Sequence, residues 1–275
     1  MLKRKPTYWV FVYVASFILV VFAVVPFLFT VLSSFKHDPE IFMGTFWPAN
    51  PTLSNYIGVI TDGMMMRFFL NSLYISFFSA LTSTVVSIFG AYGFSRYKFP
   101  GRNMLLYSIM FTRVLPRVTL LLPFFVILSQ LNLTNTLMGL ILVYMIIGMP
   151  VSVWLMKGYI DAIPYEVEEA ALIDGCGPLA TLLRVVVPMV APAIAAISMF
   201  TFMLSWNEFL FPRVLNTAPE IRPISVGLAF YIDDINVRWG MLMAASVLMS
   251  IPAMIVFSLA QKHIVHGLSE GAVKG

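Results

Sequence analysis

Apolar runs of about 20 residues or more recur along this chain, each long enough to cross a bilayer core as a helix. Such runs do not suit a chain folded in water, because they would leave large contiguous apolar surfaces exposed. In lipid every backbone N–H and C=O must find a partner within the protein, which restricts the choice to helices or closed barrels. Barrel strands read as short alternating segments, and these runs neither alternate nor stop early. Composition agrees. Hydrophobic residues make up 60% of the chain and charged residues 11%, against about a quarter charged in soluble domains. The expected fold is therefore an all-α polytopic membrane protein.

Six spans are expected, at 8–32, 68–94, 104–128, 137–156, 189–211 and 241–260. The third is broken by Pro116 and Pro123, and the fourth is expected to bend at Gly148 and Pro150. No internal repeat or soluble domain is evident. One transmembrane domain, 1–275, is expected, with a core at about 67–262 and a tail at 261–275. Lys3, Arg4 and Lys5 precede a first run too long for a signal peptide, so an uncleaved helix is expected. Ten basic residues fall in one set of connecting segments and five in the other. By the positive-inside rule the richer set is cytoplasmic, which places both termini and the 157–188 connection inside.

A single cysteine, Cys176, rules out a disulfide framework, and His37, His263 and His266 are scattered. No cluster has metal-ligand spacing, and neither a glycine-rich phosphate loop nor a Ser–His–acid set is present. An enzyme is not expected. The net charge of +4 follows from membrane topology and does not call for nucleic acid.

The stretch from Glu168 to Pro188 reads EEAALIDGCGPLATLLRVVVP. Glu166, Glu168 and Glu169 follow Pro164 in a first helical turn, where the helix dipole favours anions. Ala170, Ala171 and Leu172 continue the helix. Asp174-Gly175 ends it, since glycine accepts a left-handed conformation. Gly177-Pro178 starts a second short helix, and Pro188 leads into the next apolar run. This pattern resembles the EAA loop of ABC-importer permeases. Glu169, Ala170, Ala171, Gly175 and Pro188 match its spacing, with Val185 and Val187 where the family has isoleucine and leucine. The resemblance implies a coupling helix that docks on an ATPase subunit, with Glu168, Glu169, Ala170, Ala171, Asp174, Gly175 and Pro188 in the loop.

Asn71-Ser72, Ser205-Trp206-Asn207-Glu208-Phe209 and the stretch from Gly267 to Gly275 narrow the resemblance. They are similar to the carbohydrate branch of these permeases, in particular to the maltose-type second permease subunit. The implied partners are a second permease, two ATPase subunits that hold ATP-Mg, and an extracytoplasmic solute-binding protein. The implied setting is a bacterial or archaeal inner membrane, and the implied cargo is a sugar or sugar derivative. This chain would bind no cofactor itself. Two alternatives are an importer of the same architecture for another solute, and an ion-coupled secondary transporter. The latter calls for membrane-embedded carboxylates, of which Glu208 at a span edge is the sole candidate.

Arg113 and Arg117 lie near the middle of the third span, where each costs about 2.5–3.5 kcal/mol to insert. Four residues apart, they are expected to share one helix face. Arginine keeps its charge, so the pair must face a hydrated cavity or an anion. Contact with the transported solute and a structural pairing both remain open. Trp206, Asn207 and Glu208 are further candidates for the solute pathway, Trp206 by stacking on a sugar face or as an interfacial residue. Asn71 is a candidate for the pathway or for helix packing.

Overall fold

The computed structural model describes residues 6–232 and 237–272. Lys3, Arg4 and Lys5 at one end, and residues 273–275 at the other, lie outside the described residues. In chain order the main helices are α1 (Pro6–Ser33), α2 (Ser54–Thr61), α3 (Gly63–Arg96), α4 (Arg102–Phe111), α5 (Leu121–Gln130), α6 (Leu137–Asp161), α7 (Tyr165–Ile173), α8 (Ala191–Trp206), α9 (Leu210–Leu215) and α10 (Trp239–Ala272). Among the described residues the only strand-like pairing is the isolated bridge between Ile232 and Val237.

Four helices, α1, α3, α6 and α10, are long and apolar enough to cross a membrane. Two further bent pairs bring the number up to six if each pair is one span. These are Arg102–Val114 with Arg117–Gln130, bent by 108°, and Pro178–Met189 with Ala191–Trp206, bent by 80°.

Several boundaries differ from the sequence expectation. α3 starts at Gly63 rather than Phe68, because the Asp62 carboxylate accepts hydrogen bonds from the amides of Met64 and Met65 at 3.0 and 3.2 Å. α8 ends at Trp206 rather than Phe211, and α9 follows as a separate short helix. α10 continues through residues read as tail, since no proline interrupts it after Pro252.

The chain divides into two compact units. One unit runs to Met66 and includes Leu228–Ile251. Here α1 leaves Phe11, Phe17 and Phe22 uncovered, as a lipid-facing helix does. The turn after α1 is tightly held. Asn55 donates to the carbonyls of Ser34 and Lys36 at 2.9 and 2.8 Å, and Asp38 accepts from the Gly240 amide at 2.7 Å. Lys36 is fully buried, with its ammonium on the Thr45 carbonyl and 5.4 Å from the Phe29 ring.

The other unit comprises Arg67–Gly227 and the chain from Pro252 onward. α6 and α8 pack along each other at its centre. One apolar cluster joins Ile88, Val153, Met156, Val186 and Ile197, and a second joins Ile75, Leu140, Tyr144, Phe211 and Leu215. α3 meets this core through small hydroxyls: Ser72, Ser76, Ser79, Ser83 and Ser87 are all buried. Their spacing of three and four residues puts them on one helix face, and small residues let membrane helices approach closely. Gly148, expected to bend α6, serves this close approach. A Cβ there would lie 3.2 Å from Thr201 and 3.3 Å from Ser83.

Candidate functional sites

The first site is the turn at the end of α7. Asp174 caps the helix, and Gly175 follows with φ +85°. The Cys176 amide donates to the Ala171 carbonyl at 3.0 Å, and the Gly175 amide donates to the Leu172 carbonyl at 3.1 Å. This pair of bonds is the Schellman arrangement, which requires the left-handed residue that glycine supplies. Pro178 then opens the next helical segment. Pro188 has no N–H to offer the Arg184 carbonyl, and the backbone widens to a π turn over Leu182–Val186.

The turn is divided between an exposed face and an anchored one. Glu169, Ala170, Asp174, Gly175 and Pro188 are exposed, together with the apolar side chains of Leu172, Ile173, Leu179 and Leu183. Ala171 and Glu168 are buried. Glu168, grouped by sequence with the docking residues, instead faces inward. One of its oxygens accepts from Arg96 Nε at 2.5 Å and the other from the Tyr92 hydroxyl at 2.9 Å. The Arg96 guanidinium also donates to the carbonyls of Ile160 and Ile163 at 2.9 and 3.0 Å, and it lies 4.4 Å from the centre of the Tyr165 ring. Both side chains of the pair are under 10% exposed, at 6% and 9%. The ends of α3, α6 and α7 are thereby tied through one charged node. Arg96 and Glu168 are 72 residues apart, so sequence patterning gives no sign of the pair.

The second site lies at the break between α4 and α5. Proline disfavours the helical conformation of the residue before it, and Leu115 is extended at ψ 130°. Short 3-10 turns flank it, Thr112–Val114 and Arg117–Leu120. Arg113 and Arg117 therefore sit on different turns, and the shared helix face expected of a continuous helix is corrected. The break nonetheless brings both arginines to the lining of one cavity of about 290 Å³, with Thr112, Leu115, Phe124 and Ile147.

Arg117 donates to Glu208 at 2.9 Å across 91 residues of sequence. Glu208 is buried, and its other oxygen accepts from the Leu210 amide at 2.9 Å. Arg113 lies 5.8 Å from the centre of the Phe200 ring. Asn207 is exposed and donates to its own helix at Met203, 2.9 Å away. Trp206 is neither interfacial nor open to a solute. It is 1% exposed, stacked on Phe202 at 5.6 Å and edge-on to Phe69 at 5.8 Å. Asn71 is likewise occupied. Its amide donates to the carbonyls of Glu220 and Arg222 at 2.9 and 3.0 Å and so fixes the loop after α9.

Residues 83–270, which contain both sites, match the family described as binding-protein-dependent transport system inner membrane component. The chain belongs to that family. This permease is 32% identical over 265 residues to the sulfoquinovosyl glycerol transport system permease protein SmoH of Agrobacterium fabrum, covering 96% of this chain and 93% of the relative. It is 30% identical over 266 residues to the trehalose/maltose transport system permease protein MalG of Thermococcus litoralis, covering 95% of each. Among solved structures, a chain of a bacterial ABC transporter that imports the acidic polysaccharide alginate superposes with a TM-score of 0.83 at 25% identity, covering 95% of this permease and 99% of that chain. The permease is a multi-pass membrane transport subunit.

Proposed function

We propose that this chain is one permease subunit of an ATP-driven ABC importer for a sugar or sugar derivative. It would work with a second permease, two ATPase subunits that carry ATP-Mg, and an extracytoplasmic solute-binding protein. Near-full-length likeness to two sugar permeases supports the cargo class. In this reading each bent helix pair is one span, giving six, and both termini and the α7 turn face the cytoplasm.

The carrying observation is the α7 turn itself. Its exposed face combines small residues, Ala170 and Gly175, with protruding apolar ones, Leu172 and Ile173. That is the surface expected of an element that docks in a cleft on another protein. Its buried face is bonded through Glu168 to the ends of α3 and α6. A push on the exposed side is thus delivered to the membrane helices.

Gly175→Asp tests the reading. A Cβ at Gly175 meets nothing within 4 Å, so the substitution acts through the left-handed backbone and the docking surface, not through a clash. ATP-dependent sugar uptake into reconstituted vesicles should fall to background while the variant still inserts. Wild-type uptake by that variant would refute the coupling role of the turn.

A further inference from the structure

We infer that the cavity at the α4–α5 break binds an anionic saccharide, with Arg113 receiving its negative group. This rests on the sugar-import reading and narrows it.

The chain treats its two cavity arginines differently. Arg117 is answered by Glu208 at 2.9 Å, a carboxylate that is itself buried and held by a backbone amide. Among the described residues no carboxylate pairs with Arg113, which has the Phe200 ring beside it. Two guanidiniums and one carboxylate leave the site one positive charge in excess. A guanidinium cannot shed its proton, so the excess charge stays in the cavity beside Leu115, Phe124 and Ile147.

A neutral hydroxyl offers that charge only a dipole. A carboxylate or sulfate offers a full charge, and it accepts paired bonds from the planar guanidinium fork. The volume of about 290 Å³ is at the lower end for small-molecule sites and suits a single sugar ring. Phe124 supplies an apolar wall for the ring face. The break in the span is what makes the site, because it turns both arginines toward one space instead of spacing them along a continuous helix.

The test uses the whole importer complex, purified without its solute-binding protein. Equilibrium dialysis compares galactose, galacturonate and galactose 6-sulfate, which differ at one carbon. At least one of the two acids should be held about tenfold more tightly than galactose at low salt, as charge-assisted pairing implies, and the preference should shrink as salt rises. The ranking of the two acids separates carboxylate from sulfate recognition. Arg113→Gln should erase the preference, and Arg113→Lys should keep part of it. Equal retention of all three sugars, retention of none, or a preference that survives Arg113→Gln would overturn the inference. Failure of both Arg113 variants to assemble with the second permease would also overturn it, by placing Arg113 in a subunit contact. Sugar uptake by cells carrying the whole importer is measured alongside. Uptake of neutral sugars without an anion preference sinks this inference alone, and absence of any sugar uptake sinks the importer assignment with it.

Discussion

Two arginine–glutamate pairs in the same unit show opposite uses of one chemistry. Arg96–Glu168 is closed. Both side chains are under 10% exposed, at 6% and 9%, and the guanidinium is further bonded to two backbone carbonyls. Arg117–Glu208 is half open, with the arginine side chain 47% exposed and the glutamate 7%. A closed pair, buried on both sides and bonded to backbone carbonyls, holds parts together. A pair with one exposed partner still presents donors to whatever enters the adjoining cavity. Burial and spare valence, not residue type, separate the strut from the site.

The largest effect should come from opening the closed pair. Arg96→Met leaves Glu168 buried without a counter-charge and frees the carbonyls of Ile160 and Ile163. Breaking such a pair from one side costs about 3–5 kcal/mol. Thermal unfolding of the purified variant should show that loss, and little assembled complex should be recovered. Wild-type stability would mean that the pair is not a strut.

A smaller and different effect is expected at the half-open pair. Arg117→Met should cost about 1–3 kcal/mol of stability, less than Arg96→Met, because buried Glu208 loses its counter-charge but keeps the Leu210 amide, and no backbone carbonyl is freed. Uptake per assembled complex should fall nonetheless, and Arg117→Lys should fall less, since it keeps the charge and loses the fork. If uptake per complex stays at the wild-type value in Arg117→Met, Arg117 is scaffolding and the contrast between the pairs disappears.

The smallest effect is assigned to Tyr92→Phe, which removes one of the bonds to Glu168 and leaves Arg96 in place. The expected loss is about 1 kcal/mol in the same unfolding measurement, with uptake retained. A loss as large as that of Arg96→Met would move the weight of the strut from the ion pair to the hydroxyl.

Much of this is legible in the residues. Span positions follow from hydropathy, because the bilayer imposes one length on every apolar run. The α7 turn follows from local chemistry, since Gly175 and Pro178 act on their immediate neighbours. What is not legible depends on pairs distant in sequence. Trp206 near a helix end reads as interfacial until Phe69 and Phe202 enclose it. Arg113 and Arg117 read as one face until Pro116 interrupts the helix, and its effect on direction is not local. Glu168 reads as a residue of the coupling loop, and nothing in the sequence pairs it with Arg96, 72 residues away. The serine row on α3 has plain helical periodicity, but hydroxyls carry little hydropathy signal, so it does not stand out from the apolar run around it.

That row bears on how the permease can move. Bulky interlocking side chains resist sliding, since each must climb out of its socket before the next one fits. Serines have no such teeth. The hydroxyls of Ser76, Ser79 and Ser87 are buried with no hydrogen-bond partner among the described residues, while Ser83 lies 3.5 Å from the hydroxyls of both Ser152 and Thr201. Ile75 and Ile88 on the same helix are buried in the two apolar clusters and do have teeth. The joint is therefore smooth between two keys: the serines let the backbones close up, and the isoleucines fix where along the helix they meet.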